Sequence, residues 1–220
     1  MTAARDGGLP GVCFVTDRRA AGDRPILEVA TAAIQGGASL IQVRERDLAA
    51  KELLRLVLDL RAAAHAIGAE RVRIVVNDRL DVALAAKAAG VHLPSTGLPV
   101  AAVRQNVGRK FLIGRSVHGL AEAREAEKAG VDYLVFGPVF ATPSKIGFGE
   151  PQGTATLAKI VQAVRVPVWA IGGIQPENAA LLRGTGIAGV AAITAIAAAP
   201  DPAAAVRALR AALGAPGTQF

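Results

Sequence analysis

Residues 73–93 read Arg-Ile-Val-Val-Asn-Asp-Arg-Leu-Asp-Val-Ala-Leu-Ala-Ala-Lys-Ala-Ala-Gly-Val-His-Leu. Arg73–Val76 is a short, β-branched apolar run of the kind buried on both faces of a sheet. Leu80–Ala88 has helical composition, and Val91–Leu93 is a second apolar run. A strand, a helix and a strand in so short a stretch predict a parallel pair joined by a helical crossover.

The same unit repeats in both directions. Towards the amino terminus lie strand Gly11–Val15, helix Pro25–Gln35, strand Leu40–Val43 and helix Leu48–Ile67. Towards the carboxyl terminus come helix Val100–Asn106, strand Phe111–Gly114, helix Leu120–Lys128 and strand Asp132–Phe136. Helix Thr156–Val164, strand Val168–Ile171, helix Glu177–Leu182, strand Gly189–Ile193 and helix Pro202–Leu213 complete the series. About eight strand–helix units predict an α/β fold closed as a single (β/α)8 TIM barrel. An open dinucleotide-binding sheet would carry a Gly-x-Gly-x-x-Gly turn after its first strand, where this chain has Thr16-Asp-Arg-Arg19. The 220 residues read as one domain, with the barrel over about residues 11–214 and short flexible termini.

Composition narrows the function. Hydrophobic residues are 52% and charged residues 20%, enough apolar material for a core and too little charge for disorder. The single cysteine, Cys13, excludes an intrachain disulfide and a cysteine-based metal site. The net charge is +7, but Arg44, Arg46, Arg79, Arg115, Arg165 and Arg207 are scattered, and only 4% of residues are aromatic. Nucleic acid is therefore not expected as a partner. Met1–Pro10 lacks the apolar run of a signal peptide, and the alanine-rich tract Gly189–Pro200 is shorter than a membrane span. No membrane association and a cytoplasmic location are expected; the residues leave a homo-oligomer open.

In such a barrel the chemistry lies at the carboxyl ends of the strands. The groups there are Thr16-Asp17, Gln42, Arg44, Arg46, Asn77-Asp78-Arg79, Pro94-Ser95-Thr96, Arg115-Ser116, His118, Gly137-Pro138, Gly172-Gly173 and Thr194. Period-two spacing sends Gln42, Arg44 and Arg46 to one face, where guanidiniums suit a polyanion or a carboxylate. The competing reading pairs Arg44 internally with Asp17 or Asp78. Gly172-Gly173 and Thr194 follow the seventh and eighth strands, the usual phosphate site of this barrel, although a glycine pair also makes a plain tight turn. Asp78 is a candidate magnesium ligand, or a partner for Arg44, or a helix cap. Lys145 sits in Ala141–Gly149, a glycine-punctuated loop long enough to be a lid, with Thr142 at its start. His65 is expected to be exposed, His92 to hold a hydrogen bond, and His118 either to cap a helix or to line the pocket. There is no His-Glu-x-x-His for zinc and no Gly-x-Ser-x-Gly elbow for a serine hydrolase.

Taken together, Thr16-Asp17, Gln42-Val-Arg-Glu-Arg46, Asn77-Asp-Arg79, Gly90-Val-His-Leu93, Ile113-Gly-Arg-Ser-Val-His118, Phe136-Gly-Pro-Val-Phe140, Ser144-Lys145, Ala170-Ile-Gly-Gly-Ile174 and Thr194 resemble the thiamine-phosphate synthase/thiazole tautomerase (TenI-like) family. The likeness runs in order over about residues 12–196. It implies a barrel enzyme of thiamine biosynthesis whose partner is a small phosphorylated thiazole. By resemblance Arg44, Asn77, Ser116 and Lys145 meet a diphosphate and a pyrimidine, Asp78 meets Mg²⁺, and Gly173 and Thr194 hold the thiazole phosphate.

Two positions depart from the synthase pattern: Arg46 replaces a lysine, and Pro94-Ser-Thr-Gly97 replaces a segment whose second acid is a metal ligand. Pro94-Ser95, Gly114–His118 and Ser144–Gly149 instead look like the tautomerase branch. The expectation leans to a tautomerase that aromatises a thiazole carboxylate phosphate without a cofactor. Arg44 and Arg46 would hold the carboxylate, Lys145 would neutralise charge, and His118 or His92 would be the base. The tautomerase branch can carry its base as a histidine where this chain has Pro138. The alternative is the Mg²⁺-dependent synthase. A further one is a non-catalytic, regulatory barrel that binds a phosphorylated ligand.

Overall fold

A computed structural model describes residues 11–142 and 150–214. The strands are β1 (Gly11–Val15), β2 (Leu40–Val43), β3 (Arg73–Asn77), β4 (Gly90–Leu93), β5 (Leu112–Val117), β6 (Tyr133–Phe136), β7 (Val168–Ile171) and β8 (Gly189–Ala192). All neighbours are parallel, and β8 pairs with β1, so the sheet closes in the order β1 to β8. The helices are α1 (Ile26–Gln35), α2 (Ala50–Ala66), α3 (Leu80–Ala85), α4 (Val100–Asn106), α5 (Leu120–Lys128), α6 (Gly153–Ala163), α7 (Pro176–Ala179), α8 (Thr194–Ala197) and α9 (Pro202–Leu213). This is the (β/α)8 barrel that the alternation predicts. Among the described residues no helix is long and apolar enough to cross a membrane.

Strand pleat divides the apolar residues into two sets. Val12 and Phe14 of β1, Ile41 of β2, Val76 of β3, and Leu134 and Phe136 of β6 join the large core beneath the helices. The residues alternating with them, Cys13, Val15, Leu40, Val75, Tyr133 and Val135, form a separate cluster inside the barrel. Trp169 packs against this inner cluster. Gly11 and Gly189 make room for its ring: a Cβ at either would fall 2.5–2.6 Å from the indole. Each helix buries one stripe, as α2 does with Leu53, Val57, Leu60 and Ala64. Asp201 caps α9 by accepting from the Ala204 amide at 2.9 Å, with Pro202 in the first turn.

Several boundaries differ from the sequence reading, and two of the differences bear on the site. β5 runs on to Val117, which brings Ser116 onto the strand itself. The short helix α8 follows β8 directly, a segment too brief for periodicity to reveal.

Candidate active site

The carboxyl ends of β2 and β3 put an amide pair into the barrel mouth. Gln42 shares the inward parity of Leu40, is buried, and donates from Nε2 to Oδ1 of Asn77 at 3.0 Å. That bond joins adjacent strands and fixes both amides. Beyond β2 the alternation persists. Arg44 is half-buried and Arg46 exposed, while Glu45 turns the other way and is only 5% exposed.

The Thr16 hydroxyl accepts from the Arg44 amide at 2.9 Å, and Glu45 Oε2 accepts from the Arg18 amide at 3.1 Å. These two bonds lock the loop that carries the guanidiniums to the loop after β1. Burial, then the nearby Arg46 charge, lowers the Arg44 pKa, partly offset by Asp17 and Glu45. Burial raises that of Glu45. Among the described residues Arg44 makes no ion pair with Asp17 or Asp78, so the internal-pair reading fails. A guanidinium at a rim without an ion-pair partner is what an incoming anion needs.

Asn77, Asp78, Arg79, Arg46, Pro94 and Thr96 line a cleft of about 310 Å³ between the loops after β2, β3 and β4. Asp78 sits at φ 63°, a left-handed conformation that aspartate tolerates better than most residues. It neither pairs with Arg44 nor caps α3, and Arg79 is held by Asp81 at 2.6 Å.

The described residues contain no cluster of three or more His, Cys, Asp or Glu able to hold a metal. One carboxylate at a phosphate-sized cleft still fits Mg²⁺, which takes one or two carboxylates and fills its remaining positions with phosphate oxygens and water. Asp78 is the residue that would hold it. Arg115 donates to the Ser95 and Leu98 carbonyls at 2.8 and 3.0 Å, fixing the opposite wall.

Deeper in the mouth, His92 is 1% exposed, with Nε2 2.8 Å from Ser116 Oγ and Nδ1 3.2 Å from Tyr133 Oη. Burial, then the charges of Arg115 and Arg44, brings its pKa down to about 3. His92 is therefore neutral and too weak to serve as the general base, which corrects that expectation. His118 is exposed; its amide donates to Glu122 at the start of α5, and its Nδ1 donates to the Gly137 carbonyl at 2.6 Å. It thus ties the loop after β5 to the loop after β6. His65 is exposed, as expected.

On the far side of the same rim, Gly172 and Gly173 have φ of 101° and 64°, which favours glycine. A Cβ added at Gly172 would also strike Pro138, and one at Gly173 the Ala141 carbonyl. The turn thus needs glycine whatever it binds. What points to an anion is the donor set: the amides of Gly173, Thr194 and Ala195 have no acceptor among the described residues. Thr194 opens α8. Arg24 donates to the Ala197 and Ala199 carbonyls at that helix's other end. Asn178 clamps the glycine turn by donating to the Gly173 carbonyl at 2.8 Å and accepting from the Gln175 amide at 2.9 Å.

Thr142 is half-buried beside this turn's neighbour loop. Lys145, Ser144 and the expected lid lie outside the described residues. Sequence reasoning passed over Asn178, Arg24, Glu45 and Tyr133. Only Tyr133 carried a signal, as the chain's one tyrosine inside an apolar strand.

The family model described as thiamine monophosphate synthase matches residues 12–196. A Geobacter sulfurreducens relative is 45% identical over 200 residues, 91% of this chain and 92% of its own. The thiamine-phosphate synthase of a Roseiflexus species is 43% identical over 205 residues, 93% of this chain and 85% of its own. The structure of a thiamine phosphate pyrophosphorylase from Pyrococcus furiosus is 37% identical, with a TM-score of 0.83 over 93% of this chain and 95% of that one. The match spans every strand from β1 to β8 and the whole rim they carry, so this chain belongs to the thiamine monophosphate synthase family of thiamine-biosynthesis enzymes.

Proposed function

We propose that this chain is a thiamine-phosphate synthase, joining a pyrimidine-methyl diphosphate to a thiazole phosphate with release of pyrophosphate. The observation that carries this reading is the presence of two anion-binding arcs on one rim. Arg44, Arg46, Asn77 and Asp78 stand after β2 and β3, and the Gly172–Gly173 turn and Thr194 stand after β7 and β8. A tautomerase substrate would set only a single carboxylate on the arginine arc, whereas a diphosphate uses both guanidiniums and the cation that Asp78 would hold. The relatives' assignments favour the synthase over the tautomerase lean of the residue-level reading.

In this reading the carbon–oxygen bond of the methylene diphosphate breaks, and its electron pair leaves with pyrophosphate. A bond forms from the thiazole ring nitrogen to the methylene carbon. Arg44 and Arg46 neutralise the departing charge, a fork geometry suited to phosphate oxygens. Gln42 and Asn77, locked to each other, present amide groups to the pyrimidine. The amides of Gly173 and Thr194 hold the thiazole phosphate and set the angle of attack. Mg²⁺ held by Asp78 would supply further neutralisation of the diphosphate. By resemblance Lys145 would meet the diphosphate, and His118 braces the loop after β6 through the Gly137 carbonyl.

One observation keeps the tautomerase as a second reading: Gly97 stands where the synthase pattern has a carboxylate. The test is a side-by-side assay. The synthase reading expects stoichiometric pyrophosphate from the two coupling substrates with Mg²⁺. Absence of pyrophosphate, together with aromatisation of the thiazole carboxylate phosphate, would replace it by the tautomerase.

A further inference from the structure

We propose that Tyr133 and His92 are positioning residues that aim the Ser116 hydroxyl proton away from His92, leaving it free to donate to a ligand at the carboxyl end of β5. Three side chains from three consecutive strands form one line: Tyr133 on β6, His92 on β4 and Ser116 on β5 between them. The distances are 3.2 Å from Tyr133 Oη to His92 Nδ1 and 2.8 Å from His92 Nε2 to Ser116 Oγ. Gly114 makes the line feasible, because a Cβ there would fall 2.6 Å from His92 Nδ1 and would strike the Tyr133 ring.

The direction of the line follows from counting donors and acceptors. Tyr133 is buried, and its hydroxyl has no partner among the described residues except His92 Nδ1. A buried hydroxyl proton left without an acceptor costs about the desolvation of the group, roughly 1–3 kcal/mol. Tyr133 therefore donates and Nδ1 accepts. A neutral imidazole with Nδ1 accepting carries its proton on Nε2, so Nε2–H donates to Ser116 Oγ. The serine oxygen is then occupied as an acceptor, and its own proton is free to donate to an acceptor atom of the ligand. The reverse tautomer would turn that proton inward to His92 and present only lone pairs to the substrate. No proton is transferred; the line sets the polarity of one hydroxyl. The identity of the acceptor rests on the coupling reading above, whereas the polarity of the line does not.

The decisive measurement is the long-range proton–nitrogen NMR spectrum of ¹⁵N-histidine-labelled wild-type protein. The expected result is a neutral His92 with Nε2 protonated and Nδ1 unprotonated. An Nδ1-protonated tautomer, or titration of His92 near neutrality, would overturn the proposal whatever reaction the enzyme performs. A kinetic arm uses Tyr133→Phe, which keeps the ring. Loss of the donor is expected to lower kcat about tenfold with KM unchanged, and to have no further effect in a Ser116→Ala background. Equal losses in both backgrounds would reduce Tyr133 to a packing residue and refute the positioning role.

Discussion

Asp78 and Gly97 adjoin where the loops after β3 and β4 meet, so that a Cβ placed on Gly97 would stand 2.9 Å from Asp78 Oδ1. The position beside Asp78 carries no side chain. Any second carboxylate at residue 97 would be in contact with the first. Two carboxylates so close are stable only around a cation or a shared proton.

Gly97→Asp is therefore expected to create a two-carboxylate Mg²⁺ site, provided the Pro94 ring, 2.9 Å from the same Cβ, gives way slightly. Calorimetry in the presence of pyrophosphate should show Mg²⁺ binding at least about tenfold tighter than in wild type, the effect of one added charged ligand. An unchanged metal affinity would show that Asp78 is not where the ion binds. In the wild type, chelation of Mg²⁺ should weaken pyrophosphate binding without abolishing it, because Arg44 and Arg46 remain.

Replacing Arg44 by Gln removes the half-buried guanidinium but keeps the backbone bond to Thr16. Loss of charge-assisted bonds to phosphate, about 1.5–3 kcal/mol, should weaken pyrophosphate binding about 10- to 100-fold. Arg44→Lys should recover only part of it, since a point charge lacks the fork. Equilibrium binding of inorganic pyrophosphate reads this directly.

Asn178→Ala cuts both bonds that pin the glycine turn. The expected outcome is a rise of about 5- to 10-fold in KM for the thiazole phosphate, near-constant kcat, and a loss of about 1–2 kcal/mol in stability. A change confined to the pyrimidine substrate would place the phosphate elsewhere.

His92 also makes a statement about pH. Its pKa falls from 6.5 to about 3 on folding. Above 6.5 both states are neutral and His92 contributes no pH dependence. Between 6.5 and about 3 the unfolded chain binds a proton that the folded chain refuses. Stability therefore falls with acidification, by up to about 1.4 kcal/mol per pH unit. Raised by burial above its ordinary 4.5, Glu45 acts in the opposite sense from that pH upward within this window. Thermal melts of His92→Gln and wild type across this range cancel the Glu45 contribution, and the variant should show the shallower acid slope.

The barrel and the membership of its rim were legible in the linear order of residues. Eight apolar runs separated by helical segments leave few other folds; the polar residues that follow those runs put Gln42, Arg44, Asn77 and Ser116 at the same end, and the period of two puts Gln42, Arg44 and Arg46 on one face. Both are local properties, carried by neighbours in the chain. The bond between Gln42 and Asn77, the line from Tyr133 through His92 to Ser116, and the meeting of Asp78 with residue 97 were not legible. Each joins side chains 19 to 41 positions apart, and their meeting depends on strand register and on closure of the sheet. The same cause hid the fates of Arg44 and Glu45. Adjacent residues of opposite charge look like a pair on paper, but the pleat leaves Arg44 half-buried on one side and puts Glu45 under the loop after β1, where it accepts from the Arg18 amide. Periodicity thus settles which face a side chain takes, whereas its partner is chosen by whichever strand the closed barrel sets beside it.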